Sequence, residues 1–152
     1  FNKSMIQPIQ NNIISFKSDS HSQPIQKSVD LHHRLIINGF RDYSKNNKSR
    51  FEYLYSEIDE FKHAVKEGNR KEMEEEIGDV IFDAILLADY YGIDPEKALN
   101  KTNKKIDTRL NLAQTFAQAP LYEYPFDMRI EFWEMAKKEI RKREAKGIDT
   151  IA

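Results

Sequence analysis

Nine consecutive residues, Val80 to Ala88, hold a single polar side chain, Asp83. The run follows a charged stretch (Arg70, Lys71, Glu72, Glu74, Glu75, Glu76) and ends shortly before Gly92. It reads as the second half of a helix over roughly 70–91. A helix apolar on every side is buried on every side. In a chain this short, that demands a central position or a subunit interface. Glu76, Asp79 and Asp83 nevertheless fall on one stripe of it, at i, i+3 and i+7. Buried acids need partners.

A second pair of acids precedes them. Phe51, Leu54, Ile58, Phe61 and Val65 recur as a narrow apolar helical stripe, with Glu57 and Glu60 beside it. Gly68 stops that helix and Asn69 can cap the next. The chain therefore reads ExxE (57–60), fifteen residues, ExxD (76–79). Four carboxylates brought together from two helices repel one another unless cations lie between them. Magnesium takes oxygen ligands and commonly combines a few carboxylates with phosphate oxygens. The alternative is a solvated charged face carrying i,i+3 acids by chance. For Glu72, Glu74 and Glu75 a wet helix start is the expected reading.

Around this hairpin, residues 1–26 are rich in Asn, Gln and Ser, with Gln-Pro-Ile-Gln at both 7–10 and 23–26. They are expected to form an extended arm laid over a surface through Ile6, Ile9, Ile13, Ile14 and Phe16, or a loose tail. One all-α domain is expected over 27–152. Its first helix starts at Ser28 as cap, shares a face among Val29, His32/His33, Ile36 and Phe40, and stops at Asn38-Gly39. A polar loop over 41–49 ends in a cap at Ser49. Asp94-Pro95-Glu96 starts a fourth helix that runs to about Thr115. Asp127 is expected to cap a last helix to about Lys146. Phe82, Tyr53 and Trp133 are expected in the core. No segment alternates as a strand, so the expected fold is an all-α bundle of four to five helices, its four-helix-bundle-like core completed by dimerisation through the apolar half of the third helix.

Composition narrows the partners. The net charge of −1 supplies no general field for nucleic acid, so anion binding must be local. Cysteine is absent, which removes disulfides and thiolate metal sites. No apolar run reaches a membrane span, and nothing resembles a secretory h-region. The expectation is a cytoplasmic protein without nucleic-acid or membrane partners. As the chain opens on Phe1 rather than Met, a missing or processed start is expected.

A polyphosphate between the acid pairs would also need cationic donors. The fourth helix offers Asn103, Lys105 and Arg109, the last two on one face. Together, ExxE, the Glu76-Ile77-Gly78-Asp79 string, the Gly92-Ile93-Asp94-Pro95 turn and Asn103-x-Lys105-x-x-x-Arg109 resemble MazG-type nucleoside triphosphate pyrophosphohydrolases over about residues 51–112. The resemblance implies an all-α homodimer or dimer of dimers. It also implies cleavage of (deoxy)nucleoside triphosphates between the α and β phosphates, with Mg2+ or Mn2+ as cofactor. Glu57, Glu60, Glu76 and Asp79 match the family's metal ligands, with Glu57 or Glu60 as general base, and Asn103, Lys105 and Arg109 match its phosphate-side string. Asp83 lies outside the minimal motif and is added to the substrate-facing set by its place on the stripe. His32 and His33 face base or sugar, or else the solvent side of a surface helix. The chain departs from the family at Ser56, where many members carry a second acid, and its one Trp is Trp133. A ferritin-like di-iron bundle would need two Glu-x-x-His motifs, and the chain has one, Glu60 to His63. The remaining rival is a non-catalytic helical oligomerisation or interaction module that retains a metal or nucleotide site.

Overall fold

The computed structural model describes residues 23–41, 43 and 50–148. The N-terminal arm up to residue 22 and the expected Ser49 cap lie outside them. Among the described residues the regular structure is five α-helices and one 3-10 turn, with no strand.

The first helix, α1 (Pro24–Ile37), begins four residues ahead of the expected start and takes in residues 24–26 of the expected arm. Pro24 supplies the pre-set φ of a first helical position. Ser28 does not cap. Its hydroxyl donates back to the Pro24 carbonyl at 2.9 Å, one turn earlier. At the other end Gly39 takes φ +76°, a left-handed conformation that costs little only without a Cβ. The reversal lets the Phe40 and Arg41 N–H groups donate to the Leu35 carbonyl at 2.9 and 3.3 Å. It leaves Phe40 exposed, not on the expected shared face, and folds Arg41 back toward the helices.

Helices α2 (Arg50–Glu67) and α3 (Arg70–Tyr90) form an antiparallel hairpin across Gly68-Asn69. The Asn69 side chain accepts from the Glu72 N–H at 3.3 Å, as its position in the sequence suggests. Asp94 caps α4 (Pro95–Phe116), accepting from the Glu96 and Lys97 N–H groups at 3.0 and 3.1 Å. The connection to α5 (Phe126–Ala145) includes the 3-10 turn Leu121–Glu123 and is tied by the Tyr124 hydroxyl, which accepts from the Gln118 and Ala119 N–H groups. Asp127 lies inside the first turn of α5 and not at its cap. Pro125 takes the cap position and orients the chain without a side-chain acceptor.

Two helical pairs result. α2 packs most extensively on α3, α4 packs on α5, and α1 lies across α3. Ala64 and Leu86 centre the first pair, and Ala113 and Ala136 the second. The pairs touch each other only slightly. Tyr53, Phe82 and Trp133 are half-buried. The third helix is accordingly not enclosed within one chain: Leu86 is 2% exposed, whereas Ile81 on the open side is 56% exposed. The α4–α5 pair splays away instead of covering it.

Candidate metal centre

The hairpin places its acids across from one another because α2 and α3 run in opposite directions. Arg50 meets Tyr90 at one end, its guanidinium 3.5 Å from the ring centroid. Further along, Glu57 comes within hydrogen-bonding reach of Asp83, and Glu60 within reach of Glu76. One carboxylate oxygen each from Glu57, Glu76 and Asp79 lie within 4.8 Å of one another, the one group among the described residues arranged to share a cation. Glu60 lies beside them. With Ala64, Asp59, His63, Glu72 and Glu76 it lines an open groove of about 320 Å3 between the two helices.

The electrostatics reflect this crowding. Burial, then the neighbouring Glu60, Asp83, Asp79 and Glu76 charges, push the Glu57 carboxyl above its usual 4.5. Burial, Glu60 and Asp79 do the same for Glu76. Glu76 Oε2 is shielded from solvent and has no hydrogen-bond partner. Such an oxygen is costly unless a cation or donor meets it. Hard oxygen donors, converging and under-satisfied, fit a small divalent cation.

Asp83 sits deepest, 5% exposed, and is tied to Arg41, whose Nη2 donates to Oδ1 at 2.9 Å. Burial still raises its carboxyl, with the Arg41 charge offsetting part of the effect. Spacing alone gives no hint of Arg41, which appears in the sequence as one cation in a polar loop.

The other sequence-derived site residues lie elsewhere. His32 is 1% exposed, with Nδ1 at 2.6 Å from Asp89 Oδ2 and Nε2 at 2.9 Å from the Tyr43 hydroxyl. His33, largely exposed, reaches the same Asp89 oxygen at 3.0 Å. The pair docks α1 onto the end of α3. Asn103 and Lys105 are exposed on α4. Arg109 points toward α5, 5.8 Å from the Trp133 ring, with its Nε buried and unpartnered. Within one chain these three ride on the second helical pair, apart from the packing that assembles the acids.

Sequence comparison agrees with the geometry. Residues 45–113 match the MazG nucleotide pyrophosphohydrolase domain. A nucleoside triphosphate pyrophosphohydrolase/pyrophosphatase MazG of Thermotoga maritima is 33% identical over 90 residues, which are 57% of this chain and 35% of that protein. The nucleoside triphosphate pyrophosphohydrolase of Escherichia coli K12 is 29% identical over 91 residues, with the same coverage. The chain thus spans about a third of the length of these relatives. The matched span contains all four acids of the ExxE and ExxD pairs together with Asn103, Lys105 and Arg109. Residues 45–113 of this chain thus resemble a MazG-type nucleotide pyrophosphohydrolase domain.

Proposed function

We propose that this chain hydrolyses (deoxy)nucleoside triphosphates between the α and β phosphates, releasing a nucleoside monophosphate and pyrophosphate. The observation that carries this reading is the convergence of Glu57, Glu76 and Asp79, with an orphaned Glu76 oxygen, inside a domain whose relatives bear that activity in their names. Glu57, Glu60, Glu76 and Asp79 are the ligands for Mg2+, with Mn2+ an alternative of the same oxygen chemistry. The ion would screen the phosphate charge and acidify a bound water.

The chain's own residues supply the rest. Glu57 and Glu60 stand at the edge of the cluster, where a carboxylate can take the proton of the attacking water. The water oxygen replaces the bridging oxygen at phosphorus, one P–O bond of the anhydride breaks, and pyrophosphate leaves. Asn103, Lys105 and Arg109 are donors suited to the phosphate chain, and Asp83 holds the inner end of the acid row. Of the two histidines, exposed His33 is the one proposed to contact the sugar or base, whereas both nitrogens of His32 are engaged in docking α1. A homodimer completes the core, and the cellular role is housekeeping of the nucleotide pool.

Pyrophosphate release from a panel of nucleoside and deoxynucleoside triphosphates with Mg2+ tests the proposal. At least one substrate should turn over, and Glu76→Gln and Asp79→Asn should each lose more than the roughly 10–100-fold typical of outer-shell partners of a metal. No release from any substrate by protein that binds Mg2+ would favour the non-catalytic module instead.

A further inference from the structure

We propose that Arg50 binds the distal phosphate of the triphosphate substrate, the end of the phosphate chain farthest from the nucleoside, and so makes the site selective for triphosphates over diphosphates. This inference rests on the pyrophosphohydrolase reading above.

Arg50 lies on the acid-bearing side of the hairpin. Arg50, Tyr53, Glu57 and Glu60 recur at i, i+3, i+7 and i+10, one face of α2. The matching row on α3 is Tyr90, Asp83, Asp79 and Glu76. Arg50 therefore ends a line that runs into the acids. It stands two turns from Glu57, about 10.5 Å along the helix axis. Its guanidinium reaches across to Tyr90 and not along the axis, so the phosphorus attacked beside the acids lies beyond it. A phosphate chain extended from the acids along this row runs toward it.

The charge of Arg50 is unanswered. The side chain is half-buried, its guanidinium carbon 3.5 Å from the Tyr90 ring centroid and 5.1 Å from that of Tyr43. Nε is shielded from solvent without an acceptor, and no carboxylate among the described residues pairs with the group. A buried donor left unmet is costly. Arg41, by contrast, is matched by Asp83 at 2.9 Å, and Lys105 and Arg109 ride on the second helical pair. With Tyr90 beneath its face, the guanidinium keeps its edge for a ligand. That edge is a planar fork of N–H groups suited to two phosphate oxygens. An aromatic base would compete with Tyr90 for the face, whereas an oxyanion does not. A diphosphate held at the same acids lacks the group that extends to Arg50.

The test is calorimetric binding, with Mg2+, of α,β-methylene analogues of deoxynucleoside triphosphates and of the matching diphosphates. Wild type should hold the triphosphate analogues more tightly. Arg50→Met should weaken them roughly 10–100-fold, the scale of a hydrogen bond to a charged group, and leave the diphosphates unchanged. Arg50→Lys, a point charge without the fork, should fall in between. Mn2+ affinity without nucleotide, read by electron paramagnetic resonance, should match wild type in both variants. Circular dichroism checks that each variant folds, and should Arg50→Met not fold, Arg50→Lys is read by the same criteria. Unchanged triphosphate affinity, or equal loss for triphosphates and diphosphates, would overturn the role of Arg50 and leave the pyrophosphohydrolase reading standing. Weakened Mn2+ binding, or a wild type indifferent to the distal phosphate, would do the same. A wild type that binds neither class of analogue would sink that reading and this inference together.

Discussion

Glu57 and Glu76 carry carboxyls pushed up by burial and by neighbouring acids, Glu60 first among them, and this sets a pH dependence with a definite sign. Without metal, each binds its proton more tightly folded than unfolded. Their penalty is absent below the usual 4.5 and grows as pH rises from there through the raised folded value, above which it is fully present. In EDTA, Glu76→Gln should therefore match wild type in melting temperature near pH 4 and exceed it at pH 7. Saturating Mg2+ at pH 7 should raise wild type and remove the variant's advantage, because ligand binding to the folded state adds stability. Thermal melts of both proteins at the two pH values, with and without Mg2+, check this. A variant less stable than wild type at pH 7 in EDTA would show that the carboxylates do not strain the apo protein. The acids themselves were legible from spacing, since i,i+3 neighbours share a helix face whatever the rest of the chain does. Arg41 was not, because its partner is 42 residues away and reached only through a glycine turn.

At the level of elements, the two acids expected as helix caps separate cleanly. Asp94 makes two bonds to free N–H groups of α4. Asp127 makes none and contributes only its charge near the start of α5. Asp94→Ala should cost about 1 kcal/mol, or about 2–4 °C in melting temperature for a chain of this size. Asp127→Ala should cost about 0.3 kcal/mol, the low end of an exposed charge–dipole interaction. Equal losses in thermal melts would contradict the assignment of the α5 cap to Pro125. The sequence rule worked at Asp94 because Pro95 there occupies the first helical position. It failed at Asp127 because Pro125, two residues earlier, brings the helix start forward. The same effect moved the start of α1 from Ser28 to Pro24. A proline just inside or just before a helix outranks a downstream hydroxyl or carboxylate, since it presets φ and needs no N–H partner.

On the scale of the whole molecule, the apolar surface is unbalanced. The large side chains Ile77, Ile81, Leu99, Ile106 and Leu110 remain open, and the two helical pairs share little core. No helix is long and apolar enough to cross a membrane. A second copy is the occupant proposed for this surface, with the open side of α3 at its centre. Ile81→Lys should convert a dimer to monomer in light scattering at micromolar concentration. Each buried isoleucine is worth about 1.5–3 kcal/mol. Two-fold symmetry counts the change twice, so the dissociation constant should weaken by roughly two to four decades. A wild type that is monomeric under the same conditions would refute the interface.

The all-helical pattern, the C-terminal ends of the helices and the spacing of the carboxylate pairs follow from local pattern: periodicity, glycine stops and acid spacing within a turn or two. These depend only on neighbours a few residues apart, so the sequence alone determines them. Tertiary structure decided which open face of α3 is covered and which is not, where the α4 motif points, and that Arg41 closes the inner end of the acid row. Such facts depend on where distant segments return to the same place, and on left-handed turns such as Gly39 that redirect the chain. No spacing rule along one helix encodes that return. The metal-site reading therefore stands on local chemistry, and the support beneath it on the path of the chain.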